Sequence, residues 1–579
     1  MLKQLAKSVR QYKKIAILSP LFITVEVILE VAIPFLMANL IDHGVGAGDI
    51  EYITKMGVYL VIAALVSLTF GVLAGRAAAE AAAGFARNLR HDIYYVVQNF
   101  SFSNIDKFST ASIVTRLTTD VQNVQMAFMV IIRIAARAPA MLLFSLFMSF
   151  SINAKISLIF LAVIPVLGFA LFYIIRIVHP IFVRVFRTYD KLNNVVQENL
   201  RGIRVVKSFV REEFETQKFK EVSQAIFKDF SKAEKTIAFN TPIMQTCIYI
   251  TMLLIAWSGA HLIVAGSMTT GQLVSLFSYV MMILMSLMML SFVFVMVIIS
   301  RTSATRIVEL LEEKPDLVNK EEPVYEVKNG AVSFQNVDFS YSNNKEKLCL
   351  TGINIDIHSG ETIGIIGGTG SSKTSMVQLI PRLYDVTCGS LSVGGVDVRD
   401  YDLKTLRNTV AMVLQKNILF SGTIKENLRW GNPEATDEEL IQACKLARAH
   451  DFIQSFPQGY DTYIEQGGTN VSGGQKQRLT IARALLKKPK ILILDDSTSA
   501  VDSQTEAQIR EAFNNEIPDT TKFIISQRIS SVREADRIIV MENGRIDAVG
   551  THTELLETNK IYQEVFNSQM EGGDFDEIQ

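Results

Sequence analysis

The sequence predicts a two-part protein, in which six membrane-crossing helices with long cytoplasmic helical extensions precede an α/β domain built on a phosphate-binding loop. Three observations carry that prediction. Apolar residues make up 49% of the chain yet concentrate before Ser300, in six runs, each reaching the roughly 20 residues that a bilayer-spanning helix needs. The stretch from Glu361 to Ser375, ETIGIIGGTGSSKTS, reads as a buried strand (Ile363, Ile365, Ile366), a glycine-rich turn and a helix start. The run KILILDDSTSAVD from Lys490 is a further buried strand ending in two acids.

The apolar runs lie near Ile15–Leu40, Met56–Gly75, Ala127–Phe150, Ile156–Val178, Ile243–Val264 and Leu273–Ile299. Lys3, Lys7, Arg10, Lys13 and Lys14 precede the first run, which has no small-residue cleavage site and reads as a retained helix. Arg184, Arg187, Lys191, Arg201, Arg204, Lys207 and Arg211 lie between the fourth and fifth, whereas the joins at 151–155 and 265–272 hold only Lys155. Basic residues stay inside, so the N-terminus and both long connections are cytoplasmic. Those connections, 76–126 and 179–242, are rich in helix formers and poor in Gly and Pro, and read as helices continuing out of the membrane. A formal net charge of −1 argues against nucleic acid as a partner. Cys247, Cys349, Cys388 and Cys444 lack metal-ligand spacing and read as reduced thiols.

Glu26 and Glu30 share one face of the first helix, as Arg133 and Arg137 share one of the third. Unpaired charge at that depth is costly, so these residues are expected to face the bundle interior or a wet cavity. A polar patch in a substrate cavity and a structural ion pair both satisfy that condition. The sixth run is methionine-dense, and Met285, Met289 and Phe292 are candidates for a soft cavity wall. Lipid-facing packing is the plainer alternative. RIVELLEEKPDLVNKEEPV, Arg306 to Val324, marks a change to charged sequence. The expected division is a membrane domain 1–318, a linker 319–331, an α/β domain 332–568 and a disordered acidic tail 569–579.

In the phosphate loop, Gly367, Gly368, Thr369, Gly370, Ser371 and Ser372 present N–H groups, Lys373 reaches outer phosphates and Thr374 offers a hydroxyl to Mg²⁺, with Ser375 following. The strict pattern G-x-x-x-x-G-K-[ST] asks for glycine where Ser372 stands. Asp495 ends its strand where a Mg²⁺-holding aspartate is expected. Ser472, Gly473, Gly474 and Gln475 in NVSGGQKQR suit a phosphate through hydroxyl and backbone N–H groups. Gln415 follows the apolar strand Val410–Leu414, and Tyr341 ends VDFSY with a ring free to stack on a base.

In this order and spacing, residues from about Val332 to Phe566 resemble the nucleotide-binding domain of ATP-binding cassette (ABC) transporters, and the whole chain resembles a half-transporter of the type IV exporter family. The resemblance implies ATP and Mg²⁺ as cofactors, with Thr374, Gln415 and Asp495 at the metal. It also implies a SAVD loop ending at Asp502, catalytic positions Asp496 and Gln527, and coupling helices near Ser103–Ser109 and Gln197–Phe209. Two such domains close head to tail, each ATP lying between one chain's phosphate loop and the other chain's signature. Three positions depart from the family: Ser372, Asp496 in place of glutamate and Gln527 in place of histidine. The Asp496 carboxylate is one methylene short, and a displacement of about 1 Å costs on the order of 10²-fold in rate. An amide at 527 hydrogen-bonds but lacks imidazole's protonation states.

These departures beside an intact signature are similar to the degenerate half of bacterial heterodimeric multidrug exporters. The expectation is a multi-pass cell-membrane subunit, paired with a second half-transporter chain, that moves hydrophobic or cationic drug-like compounds. Its own site would hydrolyse ATP slowly or not at all. A lipid or peptide exporter and a non-transporting ATP-gated regulatory subunit remain open alternatives.

Overall fold

The computed structural model describes residues 1–571; the part of the expected acidic tail from 572 onward lies outside the described residues. The chain divides into two units, one of Met1–Gln98 with Thr110–Glu313, the other of Asn99–Ser109 with the segment from Lys314 onward.

The first unit holds six helices long and apolar enough to cross a membrane. The spans lie in Lys13–Asn39, Ile50–Gln98, Val121–Ile152, Ala154–Arg201, Asn240–Val264 and Thr270–Glu312. At 1.5 Å per residue the 49-residue second helix runs about 70 Å, more than twice a hydrocarbon core of about 30 Å. It therefore continues well past the bilayer, as its alanine-rich second half predicts. There Ala74, Ala77, Ala78, Ala81, Ala82 and Phe85 are buried, so small side chains give this helix a close-packed face. At the other end of the bundle, Asp42 clasps the start of the sixth span. Its carboxylate accepts from Thr269 Oγ1 at 2.5 Å and from the Gly271 N–H at 2.8 Å.

The second unit is α/β. Its strands are β1 (Val332–Phe339), β2 (Leu350–Ile357), β3 (Thr362–Gly367), β4 (Cys388–Val393), β5 (Val396–Asp397), β6 (Val410–Val413), β7 (Gly422–Thr423), β8 (Tyr463–Ile464), β9 (Ile491–Asp495), β10 (Thr521–Ile525), β11 (Arg537–Glu542) and β12 (Arg545–Gly550). A sheet in the order β2-β1-β4-β5 is antiparallel. The larger sheet runs β12-β11-β3-β10-β9-β6, parallel except for the edge strand β12. Every residue of β9 and β10 is buried, as in strands covered on both faces.

Around the expected boundaries the backbone is ordered. The sixth helix ends at Glu312, and Lys314 already belongs to the second unit, because its carbonyl accepts from Asn104 Nδ2 at 3.0 Å. The expected linker 319–331 is strapped down: Asn319 Nδ2 donates to Asp402, and Val324 exchanges backbone bonds with Asp400 and Asp402. The last helix runs to Glu571, three residues into the expected tail, and carries Gln569 with it.

Candidate functional site

Four adjacent parallel strands, β3, β10, β9 and β6, finish at one edge of the large sheet. Ligands of open α/β sheets bind past the carboxyl ends of the strands. Each of the four delivers one of the sequence motifs there. The phosphate loop follows β3, Gln527 follows β10, Asp495 and Asp496 end β9, and Gln415 follows β6. The register is tight: Ile525 pairs with both Ile365 and Asp495, and the Asp496 N–H donates to the Ile525 carbonyl at 3.0 Å.

In the loop, Lys373 Nζ donates to the carbonyls of Gly367 and Gly368, both at 2.8 Å, and to Ser371 Oγ at 3.2 Å. Burial pushes its ammonium below the usual lysine range, while Asp495 and Asp496 act the other way. A partly desolvated cation held on a glycine-rich loop that leads into a helix fits a polyphosphate. Ser372 has φ +69, the left-handed region, and leads directly into the helix Lys373–Gln378. That conformation is where the family pattern asks for glycine, and a side chain there costs about 1–2 kcal/mol. Tyr341 stands beside this helix, half-exposed, its hydroxyl 2.8 Å from Ser375 Oγ and 3.3 Å from Gln378 Oε1.

Thr374 Oγ1 donates to Asp495 Oδ1 at 3.0 Å, whereas the buried Oδ2 has no hydrogen-bond partner among the described residues. Burial raises the Asp495 carboxyl above the usual range, Thr374 and Lys373 lower it, and the Asp496 charge raises it further. A hydroxyl and a carboxylate with an orphaned oxygen are the hard donors Mg²⁺ takes, so the residues fit that ion. Gln415 is exposed just past β6, with no hydrogen bond to either residue. Asp496 is half-buried at φ +47, and Gln527 is exposed.

Ser472 caps the helix Gly473–Leu485 through a reciprocal bond pair with Gln475: Ser472 N–H donates to Gln475 Oε1 at 2.9 Å and Gln475 N–H to Ser472 Oγ at 3.3 Å. The reciprocal pair is a capping box that fixes the start of this helix. Gly474 has to be glycine, since a Cβ there would sit 2.7 Å from the Ala500 carbonyl oxygen. Asp502 caps the helix Ser503–Glu516, accepting from the Thr505 N–H at 2.8 Å. Sequence reasoning missed Gln477. Its buried amide donates to Ser499 Oγ at 3.3 Å and accepts from the Ala500 N–H at 2.9 Å, joining the signature helix to the SAVD loop. Its place one turn inside the signature helix was the only signal available.

In the membrane unit, Arg137 bridges both carboxylates of the first span, Nη1 to Glu26 Oε1 at 2.5 Å and Nη2 to Glu30 Oε2 at 2.6 Å. Glu26 Oε2 stays buried without a hydrogen-bond partner among the described residues. Arg133 instead packs its guanidinium over Gly75 of the second span. Met285 and Phe292 are exposed and Met289 half-buried along one stripe of the sixth span.

The two expected coupling segments differ. Asn99–Ser109 clusters with the nucleotide unit, its helix Phe102–Lys107 capped by Ser101. The helix Ile203–Ser208 belongs to the membrane unit and ends in exposed Phe209 and Val210, 72% and 79% accessible.

Comparison with known proteins agrees with this architecture. Residues 16–302 match the ABC transporter transmembrane region and residues 350–499 the ABC transporter domain. The chain is 34% identical to the ABC transporter ATP-binding protein YfiB of Bacillus subtilis over 97% of both chains. It is 31% identical to the putative multidrug export ATP-binding/permease protein YgaD of the same organism, over 98% of this chain and 99% of that one. It is also 33% identical to the ATP-dependent lipid A-core flippase of Desulfotalea psychrophila, over 83% and 84%. The solved structure of a bacterial Atm1-family ABC exporter with ATP bound has the same fold, with a TM-score of 0.82 at 23% identity over 97% of this chain and 98% of that one. With six spans and an ATP-binding unit in one polypeptide, the chain belongs to the ABC transporter family, as a multi-pass membrane half-transporter of type IV exporter architecture with a cytoplasmic ATP-binding domain.

Proposed function

We propose that this chain is the degenerate-site subunit of a heterodimeric ABC exporter that moves amphipathic, drug-like compounds out of the cell. The observation that carries the reading is an asymmetry within one domain. The signature Ser472–Gln475 is intact and capped, while the water-polarising and switch positions hold Asp496 and Gln527. A homodimer of this chain would contain two impaired sites, so a second chain has to bring glutamate and histidine. This chain's loop would bind ATP without turning it over at speed, and its signature would complete the partner's productive site. Thr374 and Asp495 would hold Mg²⁺, which neutralises phosphate charge. Lys373 screens the outer phosphates, Tyr341 carries the base, and closure of the paired domains moves the coupling helices and the spans.

The exposed Phe209 and Val210 support an assembly, because an apolar arm tip of this kind calls for cover by another chain. For the cargo, the orphaned oxygen of Glu26 within the membrane favours a cationic amphiphile. The lipid A-core flippase among the relatives favours a second reading, a lipid. Purification of the tagged chain from its native membrane tests the assembly. Recovery of a second six-span ATPase with the missing glutamate and histidine is the expected result. Recovery of this chain alone with brisk ATP turnover would overturn it. Substrate-stimulated turnover by drugs against lipids in vesicles separates the two cargoes.

A further inference from the structure

The switch residue is held from outside the nucleotide site. The side-chain amide of Gln569 spans the loop after β10: Nε2 donates to the Gln527 carbonyl at 2.7 Å, and Oε1 accepts from the Ile529 N–H at 2.9 Å. A primary amide carries one acceptor and donors in a single plane, the complement of an extended backbone, and no shorter or singly polar side chain makes both bonds. Gln527's own side chain is exposed, and among the described residues nothing hydrogen-bonds it. The aim of that side chain is therefore set by its backbone, and Gln569 fixes the peptide that carries it.

The base from which Gln569 acts is rigid. It sits on the helix Lys560–Glu571, where Tyr562 is fully buried with its hydroxyl 2.7 Å from His552 Nδ1. Asn559 Oδ1 accepts from the Tyr562 N–H at 2.8 Å, while its Nδ2 donates to Asp547 at 2.6 Å. Gln563 Nε2 donates to the Leu556 carbonyl at 2.6 Å. From the other side Arg510 Nη1 donates to the Ser530 carbonyl at 2.5 Å, so the loop is pinned just beyond the Gln569 clamp as well.

We propose that Gln569 is a positioning residue for Gln527, and that through it the C-terminal helix sets how strongly this chain's site prefers ATP over ADP. The proposal rests on Gln527 being the switch residue that meets the terminal phosphate. The test uses the full chain assembled with its partner. The assembly is photolabelled with azido-ATP and the two chains are separated, so that competition by ATP and by ADP is read on this chain alone. Gln527→Ala should lower the ATP-to-ADP preference, and Gln569→Ala should lower it by a similar factor, about fivefold for the loss of a hydrogen-bonded contact worth about 1 kcal/mol. The double variant should be no worse than either single one, because both act on one contact. Gln569→Glu keeps the acceptor for Ile529 and loses the donor to Gln527; it should fall between, and it serves in place of the alanine variant should that one fail to assemble. A purely structural role would lower ATP and ADP affinity together and leave their ratio unchanged. A ratio moved by Gln527→Ala but not by either Gln569 variant overturns the proposal, as do additive effects. A ratio moved by none of the variants removes the reading of Gln527 and the proposal with it.

Discussion

The Tyr384 hydroxyl donates to a carboxylate oxygen of Asp106 at 2.8 Å, tying the helix Phe102–Lys107 to the nucleotide unit. The Tyr384 ring meets Tyr341 edge to face at 5.1 Å, and the Tyr341 hydroxyl reaches Ser375 next to the phosphate loop. One aromatic residue thus touches both the turn of the first cytoplasmic arm and the side chain expected under the base. Burial and the neighbouring Asp106 carboxylate both raise the Tyr384 phenol above its ordinary range.

Tyr384→Phe removes the bond to Asp106, worth about 1 kcal/mol, and keeps the ring contact with Tyr341. Nucleotide affinity should stay within about twofold while transported substrate per ATP hydrolysed falls. Tyr384→Ala should also weaken ATP binding, since Tyr341 loses its edge contact. Vesicle transport measured beside ATPase activity distinguishes these results. Full transport in both variants would mean the contact transmits nothing.

Ser372 already occupies the left-handed region in the folded loop, so its strain is incurred on folding rather than on binding. Ser372→Gly should therefore raise domain stability by about 1 kcal/mol and leave ATP affinity within about twofold. A thermal melt and a nucleotide titration check the two halves. An affinity gain of about tenfold or more would show that the serine also obstructs the ligand.

Asp495 gives a pH dependence whose sign is fixed. A carboxyl with a folded-state pKa above its unfolded value binds protons better when folded. Nucleotide-free stability therefore declines as pH rises from the unfolded value through the folded one, and the cost is fully present above that window. Asp495→Asn should raise the nucleotide-free thermal midpoint at neutral pH, flatten its pH dependence and abolish the further rise that Mg²⁺ with ATP provides. A midpoint lowered by Asp495→Asn would contradict a desolvated, under-satisfied carboxylate.

Arg137 serves two carboxylates, so Arg137→Ala leaves both unpaired and should destabilise the membrane unit by about 3 kcal/mol. Glu26→Gln in that background should recover at least about 1 kcal/mol. A cycle without coupling energy would remove the ion pair as a structural element.

The six spans and the motif order were legible because each depends on local pattern: run length for the spans, residue types around a strand end for the phosphate loop and Asp495. The pairing of Arg137 with the first span was legible as far as shared faces and depth, though not its double engagement. Contacts between sequence-distant polar groups were not legible. Gln477 and Gln569 look like ordinary surface glutamines, and only the fold brings one to Ala500 and the other to Gln527. The strapped segment 319–331 was charged enough to read as a linker, yet its backbone pairs with Asp400 and Asp402. The extent of the last helix was not legible for a related reason: acidic, glycine-containing composition begins at Glu571, whereas the preceding helix is fixed by buried Tyr562.

The central claim is that this chain's signature, rather than its own acidic site, supports productive hydrolysis. The most direct measurement is ATPase activity of the purified two-chain assembly carrying Asp496→Ala or Ser472→Ala in this chain. Asp496→Ala should leave turnover nearly unchanged, and Ser472→Ala should abolish most of it. Loss of turnover with Asp496→Ala and retention with Ser472→Ala would contradict the account.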